Sequence, residues 1–317
     1  MNTHRLDLAV IIVSYNTRDL LRACLGSVYA ALPRTASQAR VIVADNASSD
    51  SSPDVIRAEF PQVQVLALKQ NMGFAGGNNL ALRELGFDAP SGPQPDIVLF
   101  LNPDTQVQDD ALAQMADVLR SVEKAGVAGA GLVYPDGRFQ HSAFRFPTLW
   151  QIWFDFFPRP ARWLDSQLNG RYPHSLYQAG RPFVIDHPLG AAMMTRATVI
   201  RQVGLMDEGF FMYAEEIDWC MRVKKSGWDI YCVPAAQIVH HAGGSTRQFR
   251  DEMYVALWRS RFHLFEKHYG PVFNLAARGL VRVGLLAEMR RARRSQSGQA
   301  LEDQLSAYRR VWELAGS

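Results

Sequence analysis

The chain is poor in cysteine, nearly balanced in charge and free of long apolar runs, and each shortage removes a class of protein. Three cysteines in 317 residues, Cys24, Cys220 and Cys232, are an odd number in apolar or helical settings. That excludes a disulfide framework and fits a reducing, cytoplasmic compartment. Lys+Arg 34 against Asp+Glu 31 leaves +3, too little for a surface that lives on phosphate neutralisation, so no nucleic-acid partner is expected. No uninterrupted apolar stretch of about 18 residues occurs. The best candidate, from Val272 to Met289, is broken by Arg278 and Arg282, so no spanning helix is expected. The first sixteen residues lack a small-residue cleavage site and run into turn chemistry, which argues against a signal peptide. There is no Gly-x-x-x-x-Gly-Lys-Ser/Thr loop, and the cluster Gly73, Gly76, Gly77 has neither the spacing nor the place of a dinucleotide fingerprint.

What remains is 48% hydrophobic and 21% charged, enough for one large domain or two smaller ones. Apolar runs at 8–13, 41–44, 63–68 and 97–101 alternate with helical patterns at 19–31, where Thr17 offers a cap, at 52–59, and from the Gly73 loop to about Leu85. Strand, loop and helix in that order predict a doubly wound α/β sheet. An aromatic and proline-rich stretch, about 135–186, reads as an insertion bearing Trp150, Trp153, Phe154, Phe156, Phe157 and Trp163. It suits a wall helix packed on the core, or a surface on which a saccharide stacks. Helices at 196–203 and 214–226 and a strand at 230–233 follow, and the chain from Arg250 onward reads as helical.

Ligands of such sheets sit at the carboxyl ends of the strands. This sequence places Ser14, Tyr15 and Asn16 after the first strand, and Asp45 and Asn46 after the second. Asn71, Gly73, Phe74, Gly76, Gly77 and Asn78 follow the third, and Asn102, Pro103 and Asp104 the fourth. The glycines of the third loop let a backbone approach a ligand and offer N–H groups to an anion before a helix. The oxygens of Asn102 and Asp104 suit Mg²⁺ or Mn²⁺ holding a substrate's phosphates, although an acid here can also cap the following helix. Glu215, Glu216 and Asp218 open a helix, where the dipole favours acids and where one of them can serve as a general base. His240 and His241, after the last strand, can ligate a metal or donate to a phosphate.

Taken together, Val-Ser-Tyr-Asn at 13–16, Val-Ala-Asp-Asn-Ala-Ser-Ser-Asp at 43–50, Asn-Met-Gly-Phe-Ala-Gly-Gly-Asn-Asn at 71–79, Leu-Asn-Pro-Asp at 101–104, Gly-Ala-Ala-Met at 190–193, the run from Asp207 to Trp219, and His-His-Ala-Gly-Gly-Ser at 240–245 resemble the inverting family 2 glycosyltransferases, in their bacterial rhamnosyltransferase-like branch. The resemblance implies a GT-A fold, a Rossmann-like, mostly parallel sheet flanked by helices, over 1–248. Residues 249–317 would form a helical C-terminal region. It implies a nucleotide-sugar site at Ser14, Tyr15, Asn16, Asp45, Asn46, Gly73, Phe74, Gly76, Asn78, Asn102 and Asp104. A divalent metal, Mg²⁺ or Mn²⁺, would lie at Asp104 and at His240 or His241, with Asn102 standing where the strict Asp-x-Asp pattern has its first acid. Glu216 matches the family's base, Glu215 and Asp218 would orient it or the acceptor, and Gly190, Ala191, Tyr213 and Trp219 would meet the acceptor.

The implied activity is transfer of L-rhamnose from dTDP-L-rhamnose to a saccharide or polyprenyl-linked saccharide, in cell-surface polysaccharide synthesis at the inner face of the cell membrane. Other donors, such as UDP-galactofuranose, stand behind it. A nucleotidyltransferase would need a basic phosphate loop after the first strand, where only Arg18 stands, and intact acids at Asp104 and Glu216 oppose a non-catalytic saccharide-binding scaffold. In the tail, Phe273, Ala276, Leu280, Val283 and Ala287 predict one apolar helical face, with Arg278, Arg282 and Arg293 towards the other and Leu285 and Met289 interrupting it. That helix would pack on the catalytic body, join a homodimer, or lie on an anionic membrane through 272–294.

Overall fold

Strands buried on both faces need near-continuous apolar runs, and those runs form the first half of a ten-stranded sheet. The structure is a computed structural model that describes residues 7–89, 94–158, 160, 163, 165–241 and 250–316. Strand β1 (Leu8–Ser14) is followed by helix α1 (Arg18–Thr35), β2 (Ala39–Asp45), α2 (Ser52–Glu59), β3 (Gln64–Ala67), α3 (Gly73–Glu84) and β4 (Ile97–Leu101). The four strands are parallel in the order β3-β2-β1-β4. Leu21, Leu25 and Val28 of α1 cover one face against Val10 and Ile12, and Ala75, Ala81 and Leu82 of α3 cover the other against Ile11 and Ile42.

Beyond β4 come β5 (Thr105–Val107), α4 (Ala111–Ser121) and β6 (Ala125–Val133), and the aromatic insertion then proves to be structured. It holds β7 (Phe139–Gln140), β8 (Ala143–Phe144), α5 (Leu149–Phe156), α6 (His174–Gln178), β9 (Phe183–Ile185) and β10 (His187–Pro188). Thr148 and Gln151 form a capping box at the start of α5. Strand β11 (Ala192–Arg196), which no sequence pattern announces, slots antiparallel between β4 and β6. After α7 (Ala197–Val203) and α8 (Glu215–Lys225), β12 (Asp229–His240) outruns the expected end at 233. It shifts register between Val233 and Gln237, where Pro234 cannot donate to the ladder, and then continues to pair with β6 and with β5.

Helices α9 (Arg250–His268), α10 (Pro271–Ser295) and α11 (Gln299–Leu314) build a third core around Trp258, Phe262 and Phe265, shared with Phe156 of α5 and Met221 of α8. Residues 242–249, which hold the Ala242-to-Ser245 part of the histidine motif and the expected boundary at 248, lie outside the described residues. The apolar face expected on α10 is met in part: Phe273 and Leu280 pack on the third core, but so does Met289, and the inward face is centred elsewhere. Ala277, Val281, Gly284 and Leu285 point inward while Val283 is exposed, because close helix packing selects small residues: a Cβ on Gly284 would collide with the ring of Phe156.

The same helices hold α8. Asp218, fully buried, receives Arg222 Nε at 3.0 Å, Lys267 Nζ at 2.8 Å and His268 Nε2 at 2.7 Å, the last two from α9. This corrects the expectation that Asp218 orients the base or the acceptor directly: its carboxylate meets α9. Burial pushes that carboxyl up, but hydrogen bonds from Lys267 and His268 and the charges of Arg222 and Lys267 outweigh it, and the net shift is downward. Lys225 Nζ lies 3.0 Å from His268 Nδ1, an ammonium that only donates, and His268 Nε2 turns to Asp218. Lys267 also reaches Asp207 at 2.6 Å, so one ammonium joins the 205–213 segment to α8. Lys267→Met is expected to cost about 2 kcal/mol, below the usual penalty for breaking a buried pair because Asp218 keeps two partners. A lowered carboxyl stabilises above its unfolded pKa and loses that contribution as pH falls through the native one. The melting-temperature gap between Lys267→Met and the parent should therefore be widest at neutral pH and close in acid.

Candidate active site

A cleft of about 300 Å³ opens where β1, β2 and β4 end, so its floor follows from the parallel half of the sheet. Ser14 and Tyr15 line it from β1, Asn46 from β2, Asn71 and Phe74 from the start of α3, and Asn102, Pro103 and Asp104 from the end of β4. Gly190 and Ala191 enter beside them because Asn102 N–H donates to Ala191 O at 2.8 Å and Ala192 pairs with Leu101. Tyr213, Glu215, Glu216 and His240 complete the set expected from sequence. The apolar flank of Leu189, Phe211, Met212 and Met253 was not foreseen as a wall. Phe211 and Met212 lie inside a quoted motif, whereas nothing in sequence marks Leu189 or Met253.

Other expected residues sit behind the wall. The side chain of Asn16, at φ 52°, accepts Ser49 N–H at 2.8 Å and locks the first loop to the second. Asp45 accepts Ser48 N–H at 2.9 Å through Oδ2, while its buried Oδ1 has no hydrogen-bond partner among the described residues. Thr17 does not cap α1; its hydroxyl pairs with Ser14 Oγ at 3.0 Å. Trp219, expected against the acceptor, is instead a core residue, edge-on to Phe100 with its indole N–H on Gly204 O at 2.9 Å.

The glycine segment is also corrected. Gly73, Gly76, Gly77 and Asn78 belong to α3 itself, and three N–H groups at its start are taken. Met72 N–H goes to Asn46 Oδ1, Gly73 N–H to Asn71 Oδ1, and Phe74 N–H to Phe211 O. Gly73 is needed for its φ of +73° and because a Cβ would strike Phe211 O. Gly77 is needed because a Cβ would stand 2.8 Å from Val13 Cγ1. These glycines bring α3 close to β1 and to the segment that carries Phe211.

At the far end of the cleft, the antiparallel pairing of β5 with β12 sets Thr105 opposite His240, and His241 N–H donates to Asp104 O at 2.9 Å. His240 Nε2 lies 3.5 Å from Asp104 Oδ1, and its Nδ1 meets Gln140 Oε1 at 3.2 Å. An amide oxygen only accepts, so Nδ1 donates to it and Nε2 is left facing the carboxylate. An imidazole nitrogen and a carboxylate this close are ligand types that a divalent cation takes together. Among the described residues no third His, Cys, Asp or Glu joins them, and His241 turns to Gln106 instead.

Opposite lie the carboxylates. Tyr213 and Ala214 are both left-handed, φ 68° and 66°, a conformation that costs roughly 1–2 kcal/mol per L-residue and turns the chain sharply into α8. The turn delivers Glu215 and Glu216 to the cleft at the helix N-terminus, with Glu216 Cγ as near to a Cβ on Gly190 as 3.5 Å. Oε2 of each glutamate is buried with no partner among the described residues. Burial pushes both acids up: Glu216 to about 7, and Glu215 well above the usual range because the charge of Glu216 adds to its own desolvation. Near neutrality the pair therefore holds one acid and one carboxylate, suited to accept one proton.

Residues 9–203, more than half the chain, match glycosyl transferase family 2. The chain is similar to the N-acetylglucosaminyl-diphospho-decaprenol L-rhamnosyltransferase of Mycobacterium tuberculosis, at 29% identity over 272 residues, 83% of this chain and 85% of that one. It is also similar to the rhamnosyltransferase WbbL of Escherichia coli K12, at 27% identity over 194 residues, 61% of this chain and 67% of that one. In fold it resembles the Pyrobaculum calidifontis mannosyltransferase PcManGT, solved with GDP-Man and Mn²⁺, with a TM-score of 0.56 at 15% identity over 99% of this chain and 86% of that one. A mostly parallel sheet flanked by helices, a polar cleft at its strand ends and a match over that same sheet agree: the chain belongs to glycosyl transferase family 2 and is a glycosyltransferase.

Proposed function

We propose that this glycosyltransferase moves L-rhamnose from dTDP-L-rhamnose to a saccharide carried on a lipid, with inversion, at the inner face of the cell membrane. The observation that carries the reading is the pairing, in one cleft, of an ionisable Glu216 with the Asp104–His240 corner. The relatives' names supply the sugar, and the M. tuberculosis relative's name a decaprenol-linked acceptor. The apolar flank of Leu189, Phe211, Met212 and Met253 favours a sugar bearing a methyl where a hexose carries a hydroxymethyl.

Asp104 and His240 would hold a divalent ion, which when bound supplies positive charge for the diphosphate. No Lys or Arg among the described residues lines the cleft, so that charge has no other described source there. The acceptor hydroxyl attacks the anomeric carbon as the carbon–phosphate oxygen bond breaks on the opposite face, and Glu216 takes the hydroxyl proton. Glu215, still protonated, can donate a hydrogen bond to a substrate oxygen. The unpartnered oxygens of Asp45, Glu215 and Glu216 suit sites completed by substrate.

Glu216→Gln is expected to keep donor binding and lose turnover by roughly 10²–10⁴-fold, and parental turnover should fall as pH drops below about 7. A carboxyl raised in the fold stabilises below its unfolded pKa, roughly 4.3, and that contribution disappears as pH rises through about 7. Glu216→Gln should therefore melt higher than the parent above pH 7, a readout independent of activity. Thermal shift against nucleoside diphosphates with and without Mn²⁺ tests the donor site. A thymidine-selective, Mn²⁺-dependent shift is expected, with the Mn²⁺-dependent part lost in Asp104→Ala. No shift with any nucleotide would defeat the reading in favour of a saccharide-binding scaffold.

A further inference from the structure

Helix α10 has a second apolar face that nothing among the described residues covers. Val272, Leu275, Val283 and Leu286, with Gly279 between them, recur at steps of three and four and form one stripe opposite the packed Ala277, Val281, Gly284 and Leu285. Val272 is 81% exposed and Leu275 76%. At 1.5 Å per residue the stripe runs about 21 Å and continues on the same side into Arg290, Arg293 and Arg294. These are exposed and make no ion pair among the described residues, whereas Arg291 is spent on Glu288 and Phe156 O. Alongside, α5 packs on α10 through Phe156 and leaves Trp150 and Trp153 exposed.

We propose that this face of α10, with the two tryptophans of α5, is a docking surface for an anionic lipid bilayer. The apolar stripe enters the boundary between headgroups and acyl chains, the indoles sit at headgroup level, and the arginines meet lipid phosphates. Charge decides the occupant. The only acid in 271–295 is Glu288, already paired, so a second copy on the same face would cover three arginines with no carboxylate to meet them. An anionic bilayer answers charges of a single sign. Among the described residues no helix is long and apolar enough to cross a membrane, so the contact is one of lying on the surface. The proposal deepens the reading of a lipid-linked acceptor by naming the surface that brings the chain to it.

The test is co-sedimentation of the full chain with phosphatidylcholine vesicles, with and without phosphatidylglycerol, which needs no turnover. The parent should sediment with the phosphatidylglycerol vesicles and be released by salt. The triple variant R290Q/R293Q/R294Q should partition roughly a hundredfold more weakly, at about 1 kcal/mol per arginine. V272D/L275D should stay in the supernatant, with parental circular dichroism and an unchanged nucleotide-induced thermal shift. A parent that ignores anionic vesicles, or a V272D/L275D variant that sediments like the parent, overturns the proposal. So does a parental dimer in analytical ultracentrifugation that V272D/L275D dissociates, which would assign the face to a second copy. If no nucleotide shifted the melting temperature, the donor reading would fail while the vesicle result stood on its own.

Discussion

The cleft depends on one strained turn. Two successive left-handed residues, Tyr213 and Ala214, swing the chain so that α8 begins with its first two side chains facing the strand ends. Such a turn persists only where its surroundings over-determine it. Phe211 O, two residues earlier, is held by Phe74 N–H, and Ser260 Oγ of α9 donates to Met212 O at 2.7 Å. Just beyond it, Asp218 is clasped by three cations or donors. The unfavourable placement of two carboxyls in a buried pocket is sustained by the same contacts, and their raised proton affinity is the chemical result.

A second constraint is the antiparallel contact between β5 and the end of β12. It brings Asp104 and His240, 136 positions apart in sequence, within 3.5 Å, while Gln140 from β7 accepts from the imidazole Nδ1. The corner is thus a product of the sheet's antiparallel half, while the floor comes from its parallel half. Cys24 supports the loop between them from below, its thiol on Asn102 O at 3.6 Å and burial pushing it up to about 12, which makes it an inert packing group.

Much of this was legible in the sequence, for identifiable reasons. Strands buried on both faces leave apolar runs, so β1, β2 and β4 could be read directly, and their polar ends marked Ser14, Tyr15, Asn46, Asn102 and Asp104. Strand β6 was hidden by its composition: Gly126, Gly129 and Gly131 look like loop residues, yet each makes room for a neighbour, Trp228, Pro188 or Pro234. β11 is short, rich in Met and Ala, and fixed by partners far away in sequence. In α10 apolar residues stand on both sides, Val281 and Leu285 packed and Val272 and Leu275 exposed, so hydrophobicity alone placed only part of the packed face, Phe273 and Leu280. The glycines from 73 to 77 read as a ligand loop because glycine signals close approach without naming what approaches.

The dependence of the turn on α9 bears on how far this enzyme could be shortened. The family match ends at residue 203, and the strand ends that floor the cleft lie within it, but both glutamates, His240 and the wall residue Met253 come later. A chain cut before Arg250 would keep the strand ends that floor the cleft and would lose Ser260, Lys267 and His268, the groups that hold α8 and its turn in place. The catalytic unit in the mechanical sense is therefore larger than the family-matched part, and grafting a new acceptor specificity onto it means carrying the C-terminal helices along.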